Sequence, residues 1–357
     1  MLKKIFTPGP TQVHPEVLKA TVSHFTYHRS SEFKEFHAQL ISKLKKVFLT
    51  QSNLNVLTTS GTGAMEAAVV NFCKPGDKVL FLNQGRFGAR WGAISKAYGL
   101  KADEVTVPAG DVIGTDKLKS TELDRYASVF LTHSETSTAT VTDIKSLAAY
   151  IKENSNALVI VDGISSIGTI EFRMDKWNID VAVSASQKGL MTQPGISVIA
   201  YNDIAREKML SNNMPRYFFD LRKELNAQKT FLTSWTPAIG IMYGVDKACD
   251  IILTGGIESK WKKVHAVADY FRNECRDFGF SIFSKHPSDS LTAITFPDDI
   301  PTGKLVARLK EKYGIQIANG QEELKDKIAR VSHMGDIELD DIIELTKIIK
   351  VEFKSLK

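Results

Sequence analysis

The sequence predicts an α/β protein: a large domain on a mostly parallel sheet, then a smaller α+β domain. Three observations predict it. Short apolar, β-branched runs alternate with helical patterns from Leu54 to Leu253, the order that covers a parallel sheet with helices on both faces. Two of those runs end in an ionisable residue, Val161-Asp162 and Ser186-Gln187-Lys188. Past the pair Gly255-Gly256 the alternation gives way to long helices and clustered strands. The expected division is therefore residues 1–253 for an N-terminal segment with the large domain, and 254–357 for the small one.

Taken in order, Phe6-Thr-Pro-Gly-Pro-Thr11 opposes both helix and central strand, since it holds two prolines and a glycine. A helix follows from about Pro15. Another spans 32–48, with Phe33, Phe36, Leu40, Leu44 and Val47 on one face. A strand from Leu54 runs into Ser60-Gly61-Thr62-Gly63 and a helix whose Met65, Ala68, Val69 and Phe72 share a face, stopped by Lys74-Pro75-Gly76-Asp77. Free N–H groups and small residues at that helix start make an anion cradle. It lacks the Lys-Ser/Thr of a P-loop and the third glycine of a dinucleotide fingerprint, and a plainly capped helix is the alternative.

A strand at 78–82 leads to Phe87 in a glycine-flanked turn, where core packing is the simplest role. A helix through Trp91 and a strand near 104–107 continue the pattern. The strand 128–132 enters the polar loop Ser134-Glu135-Thr136-Ser137-Thr138, which either lines a cleft or forms an ordinary hydroxyl turn. A helix over 142–154 precedes Ala157-Leu-Val-Ile-Val-Asp162, where a buried carboxylate wants a cationic or protonated partner. In Asp180-Val-Ala-Val-Ser-Ala-Ser-Gln-Lys188-Gly189 a lysine ends a buried strand. Desolvation there lowers its pKa and makes its amine nucleophilic, unless the side chain snorkels outward. A strand over 194–201, a charged irregular stretch, and the turn 231–237 carrying Thr233 and Thr236 lead to a helix at 239–253. In the small domain Arg330 lies on a strand over 327–333, and a final amphipathic helix uses Leu339, Ile342, Leu345, Ile349 and Phe353.

Bulk numbers exclude several classes. The 357 residues are 43% hydrophobic and 24% charged, with net charge +5, and no lysine/arginine block with interleaved aromatics points to nucleic acid. No apolar run approaches a membrane span. Pro8 and Pro10 break the N-terminus before a signal-peptide core can form. Cys73, Cys249 and Cys275 have neither metal-ligand nor disulfide spacing. The expectation is a soluble cytoplasmic protein.

A Gly-rich helix start, a strand-end aspartate and a strand-end lysine together match the needs of pyridoxal 5′-phosphate. Its phosphate wants an uncrowded helix N-terminus, its aldehyde a lysine, and its ring nitrogen an acid. At these residues, and in Thr7-Pro-Gly-Pro-Thr11, Ser60-Gly-Thr-Gly-Ala-Met-Glu-Ala67 and Thr132-His-Ser-Glu-Thr-Ser-Thr138, the chain resembles the class V aminotransferases of alanine–glyoxylate and serine–pyruvate type, within fold type I of the pyridoxal-phosphate enzymes. The resemblance runs from Thr7 to Arg330.

It implies that Lys188 forms the Schiff base and Asp162 partners the ring nitrogen. It also implies that Ser60, Gly61 and Thr62 hold the phosphate with help from Gln187, that Phe87 and Ile164 cover the two ring faces, and that Thr136 touches the ring's hydroxyl side. Thr233 and Thr236 match the segment that completes the neighbouring subunit's phosphate cup, which implies a homodimer with shared sites. Arg330 matches the arginine that grips the substrate carboxylate, a task suited to its bidentate fork. Ala139 departs from the glycine common at its position, and the segment Ser332-His333-Met334-Gly335 has no reading. The implied reaction is transamination between alanine, serine or aspartate and glyoxylate or pyruvate. No second arginine is strongly placed for a distal carboxylate, although Arg29, Arg86, Arg90 and Arg216 are candidates. Alternatives are a phosphonate- or phosphoserine-type aminotransferase, a cysteine desulfurase-like lyase, a cofactor-independent Schiff-base aldolase, and a nonenzymatic binding protein on the same scaffold.

Overall fold

The computed structural model describes residues 4–23, 25–297 and 300–356. Among them, seven strands form the large sheet: β1 (Asn53–Leu57), β2 (Lys78–Asn83), β3 (Lys101–Thr106), β4 (Ser128–Thr132), β5 (Leu158–Asp162), β6 (Val181–Ala185) and β7 (Ser197–Tyr201). Their spatial order is β1-β7-β6-β5-β4-β2-β3. Every pair is parallel except those of β7, which runs antiparallel to both β6 and β1. The mostly parallel sheet expected from the alternation is therefore present, with one reversed strand that periodicity alone does not reveal.

Side-chain alternation in these strands feeds two separate cores. Val129, Leu131, Val159, Val161 and Ala182 face the helices Ser31–Phe48, Ile144–Asn154 and Ile239–Leu253. Phe130, Leu158, Ile160, Val181 and Val183 face the helices Gly61–Phe72 and Arg86–Ala97. Because both faces are covered, strands β4 to β7 are buried at every position, which is why they read as continuous apolar runs.

The small domain holds the antiparallel strands Ser281–Ile282, Leu291–Thr295, Ala318–Asn319 and Ala329–Ser332, in the order first-second-fourth-third. Its core joins Phe271, Phe280, Ile294, Leu345 and Phe353, and it also takes in Phe6. Lys4–Ile5 pairs in parallel with Ile315–Gln316, while Thr11 donates its N–H to the Gln187 carbonyl at 3.1 Å. The N-terminal segment thus ties the small domain to the loop carrying Lys188. The charged stretch after β7 contains two helices, Asp203–Leu210 and Leu221–Gln228, whose short polar turns gave no clear periodicity. Among the described residues, no helix is long and apolar enough to cross a membrane.

The amino edge of the sheet is knotted by Asp180, which is 1% exposed. It accepts from Val159 N at 2.6 Å and Asn202 Nδ2 at 2.8 Å, and pairs with Lys152. Asp180→Ala should cost roughly 3 kcal/mol, by stranding a buried N–H and a lysine. Urea unfolding measures it; a loss below about 0.5 kcal/mol, the size of an ordinary surface change, would contradict this account.

Candidate active site

Strands β5 and β6 are parallel neighbours with Asp162 opposite Val183, so their carboxyl ends open at one edge of the sheet. Asp162, 5% exposed, accepts a hydrogen bond from Ile164 N at 2.8 Å. Burial pushes its carboxyl up to about 7; the Glu135 charge pushes the same way, while the Ile164 bond, Lys188 and Arg90 oppose it. Lys188 follows three residues past β6, in a turn that Gly189 permits: a Cβ at Gly189 would lie 2.1 Å from the Ile167 carbonyl oxygen. Burial pulls the lysine amine down to about 8 against the support of Asp162, with Arg330 and Arg90 adding repulsion. The amine donates to the Pro8 carbonyl. Gly9 lies against it at φ +126°, where a Cβ would sit 2.3 Å from Lys188 Cε. The N-terminal segment is thus a glycine-thin cover over the amine.

One cavity is lined by nine of the residues singled out above: Ser60, Gly61, Thr62, Phe87, Thr136, Asp162, Ile164, Gln187 and Lys188. Ser60 stands at the N-cap of the helix Gly61–Phe72, yet its side chain makes no cap hydrogen bond. The N–H groups of the first turn have no intrahelical acceptor. A Cβ at Gly61 would press on Ile164 Cδ1 at 2.6 Å, so only glycine lets the helix start approach this closely. The Phe87 ring, far from being core packing, lies 5.6 Å from the Lys188 amine and 4.7 Å from the Arg90 guanidinium. The Thr136 hydroxyl bonds that of Ser165 at 2.8 Å. Gln187 Oε1 is buried, with no hydrogen-bond partner among the described residues.

Arg330 stands behind Thr136 on the small sheet, 4% exposed. It donates to the Thr136 carbonyl at 3.0 Å, to the Asn319 carbonyl at 2.8 and 3.1 Å, and to Gln321 Oε1 at 3.3 Å. Burial pulls its guanidinium down to about 10, and among the described residues no carboxylate pairs with it. Thr233 and Thr236 lie elsewhere: Thr233 donates to the Trp235 carbonyl at 2.7 Å, and the Thr236 hydroxyl is 3.5 Å from His28 Nε2. Neither lines the cavity around Lys188.

Ser165, which carries no sequence signal, also lines this cavity, as do Arg90 and Ser134, while Glu135, seen in the sequence only as part of a polar loop, has a role of its own. Glu135 is fully buried. Its Oε2 accepts from Phe87 N and Gly88 N, both at 3.0 Å, and its Oε1 accepts from Ser137 N at 3.0 Å. One carboxylate therefore caps the helix that starts at Arg86 and locks the loop after β4 to it. The surrounding serines and threonines hid this acid in what read as a hydroxyl turn. Ala139 adopts φ +59°, the left-handed conformation that glycine takes without strain, so its departure from the expected glycine costs some local strain.

Comparison with known proteins adds to this geometry. The family model for "Aminotransferase class-V" matches residues 5–334. The chain is 31% identical over 95% of its length to a "Soluble hydrogenase, small subunit" of Synechococcus, covering 90% of that protein. It is 32% identical over 98% of its length to the L-aspartate–glyoxylate aminotransferase of Paracoccus denitrificans, again covering 90% of the relative. The crystal structure of an aspartate aminotransferase from Thermus thermophilus superposes with a TM-score of 0.93 at 30% identity, covering 99% of this chain and 100% of that one.

The Asp162 shift carries a prediction for the protein alone. Its folded pKa of about 7 lies above the ordinary carboxylate value, so its share of stability is present below about pH 4 and lost as pH rises through 7. Lys188 works in another window, its share being lost as pH falls through about 8. Asp162→Asn should therefore raise stability at pH 8 by about 2–4 kcal/mol, a gain that vanishes near pH 4. Urea unfolding at both pH values checks it; an equal effect at both would refute a burial-driven shift.

Proposed function

The chain belongs to the class V aminotransferase family, and we propose that it transfers an amino group between a small amino acid (alanine, serine or aspartate) and glyoxylate or pyruvate. The observation that carries this reading is the amine of Lys188 and the carboxyl of Asp162 facing one cavity beside an uncapped helix start. The residues suit pyridoxal 5′-phosphate. The helix start left uncapped by the Ser60 side chain and the close approach at Gly61 fit a phosphate. A buried acid held near 7 fits a ring nitrogen that brings a proton and a positive charge.

In this reading Ser60, Gly61, Thr62 and Gln187 hold the phosphate, Phe87 and Ile164 cover the ring faces, and Thr136 sits at its hydroxyl. Pyridoxal phosphate supplies an aldehyde for amine exchange and an electron sink for the pair left at the substrate Cα. Arg330 orients the substrate α-carboxylate by a two-pronged contact. The Lys188 amine, neutral in part at pH 7–8 because burial lowers it, would serve as the base that takes the proton from the substrate Cα. Asp162 would hold the ring nitrogen of pyridoxal phosphate, its carboxyl being the one acid among the described residues that line the cavity with Lys188.

We assign Thr233 and Thr236 to the site of a second copy of the chain, which makes the enzyme a homodimer. Their turn is flanked by Tyr217, 72% exposed and 5.3 Å from the Trp235 ring, and the nearby segment exposes Phe25 at 90% and Tyr27 at 64%. Exposed aromatics at that density suit a subunit interface. The three free, buried cysteines accord with a cytoplasmic location. A desulfurase reading is weaker: Cys275 lies within the helix Ile257–Asp277, its thiol pushed up to about 12 by burial, whereas that chemistry wants an exposed thiolate. The cavity lining contains no cysteine or histidine, so nothing there supports the hydrogenase name of the Synechococcus relative.

A donor–acceptor panel tests the reading, together with borohydride reduction and peptide mapping, which should tag Lys188. Lys188→Ala should lose turnover; full activity in that variant would refute the assignment. Arg330→Gln should raise KM for every amino donor, by on the order of 2–4 kcal/mol in apparent binding. The shared site has its own check. Mixing inactive Lys188→Ala subunits with a Thr233→Ala, Thr236→Ala double variant should restore activity through hybrids holding one intact site. No recovery after verified subunit exchange would show that each chain completes its own site.

A further inference from the structure

A second cavity, of about 340 Å³, opens beside Arg330 and is lined by Gly85, Arg86, Ser137, Gln321 and Glu322 among others. Gln321 is the residue whose Oε1 sits 3.3 Å from Arg330 Nη1, and Ser137 follows Thr136, whose carbonyl accepts from the same nitrogen. A donor held at Arg330 by its α-carboxylate therefore has this cavity next to it. Across the cavity Arg86 meets Glu322, Nε to Oε1 at 3.4 Å, with side chains 43% and 63% exposed.

Of the four arginines open to the role of distal-carboxylate partner, the structure leaves one. Arg216 lines neither cavity, and its Nε already faces Asp220 Oδ1 at 3.5 Å. Arg90 donates to the Thr62 hydroxyl at 2.9 Å and lies on Phe87, at the phosphate end of the first cavity. Arg29 lines neither cavity. Arg86 alone lines the one beside Arg330. Its backbone is fixed by an N–H bond to Ser137 Oγ at 3.1 Å, and its charge is felt by Arg330, whose guanidinium it helps pull down.

We propose that Arg86 binds the side-chain carboxylate of a dicarboxylic amino donor, and that Glu322 is a displaceable stand-in for that carboxylate. Two guanidiniums close enough to repel each other are what the two ends of a dicarboxylate neutralise together. The stand-in is easily released. An ion pair this exposed is screened by water and contributes little, and Glu322 holds a left-handed φ of +51° that a non-glycine residue adopts at a cost. A monocarboxylic donor such as alanine leaves the pair in place. The inference rests on the aminotransferase reading and narrows its donor class.

The test measures kcat/KM for aspartate, glutamate and alanine with glyoxylate as acceptor, in the parent, R86Q and E322Q, alongside inhibition by succinate. R86Q should lower the dicarboxylate-to-alanine ratio by roughly tenfold or more, chiefly through KM, as expected for loss of one charge-assisted contact. E322Q should raise the ratio and tighten succinate inhibition, and it decides the matter if R86Q folds poorly. Ratios within about twofold of the parent in both variants, or a parent that uses alanine but neither dicarboxylate, would overturn the inference while leaving the aminotransferase reading intact. A parent that transaminates no donor at all overturns both.

Discussion

Everything at the site depends on two ionisable groups being taken out of water at the ends of adjacent strands. Ionising either alone is unfavourable there, so the carboxyl of Asp162 rises towards neutrality while the amine of Lys188 falls towards it. A carboxyl near 7 and an amine near 8 exchange protons at little cost around physiological pH, which is the condition for general acid–base work. The sheet imposes this. Strands covered on both faces leave the edges of the sheet for polar side chains, and the carboxyl edge is the one that opens into a crevice.

A third buried charge organises the surroundings. Glu135 gathers the N–H groups of Phe87, Gly88 and Ser137, so the ring of Phe87 and the carbonyl of Thr136 keep a fixed relation. Through that carbonyl the arrangement reaches Arg330 in the other domain. The N-terminal segment closes the circle: Phe6 is set in the small-domain core, and Pro8 and Gly9 lie on Lys188. Large sheet, small sheet and N-terminus therefore meet at one amine, and each places a group that the others could not.

That no carboxylate among the described residues pairs with Arg330 has the same logic. Neighbouring carbonyls satisfy most of its donors without neutralising it. A buried cation left in that condition favours an incoming anion, because the cost of desolvating the guanidinium is met by folding and not by binding.

Local chemistry made much of this legible in the chain itself. Apolar runs located β4 to β7; Asp162, ending β5, and Lys188, three residues past β6 and not on it as the run suggested, were marked because a charged side chain stands out against a fully apolar strand. The small residues after β1 marked the helix start at Gly61. What the chain could not disclose was set by contacts distant in sequence. The reversal of β7 depends on pairing with β1 and β6. The importance of Glu135 depends on amides nearly fifty positions earlier, and the separation of Thr233 and Thr236 from the Lys188 cavity depends on how a loop between two helices packs. Periodicity and residue type determine which segments are buried and which side chains are costly there; only the tertiary fold decides which of those costly groups face one another, since that choice is made by packing and long-range hydrogen bonds.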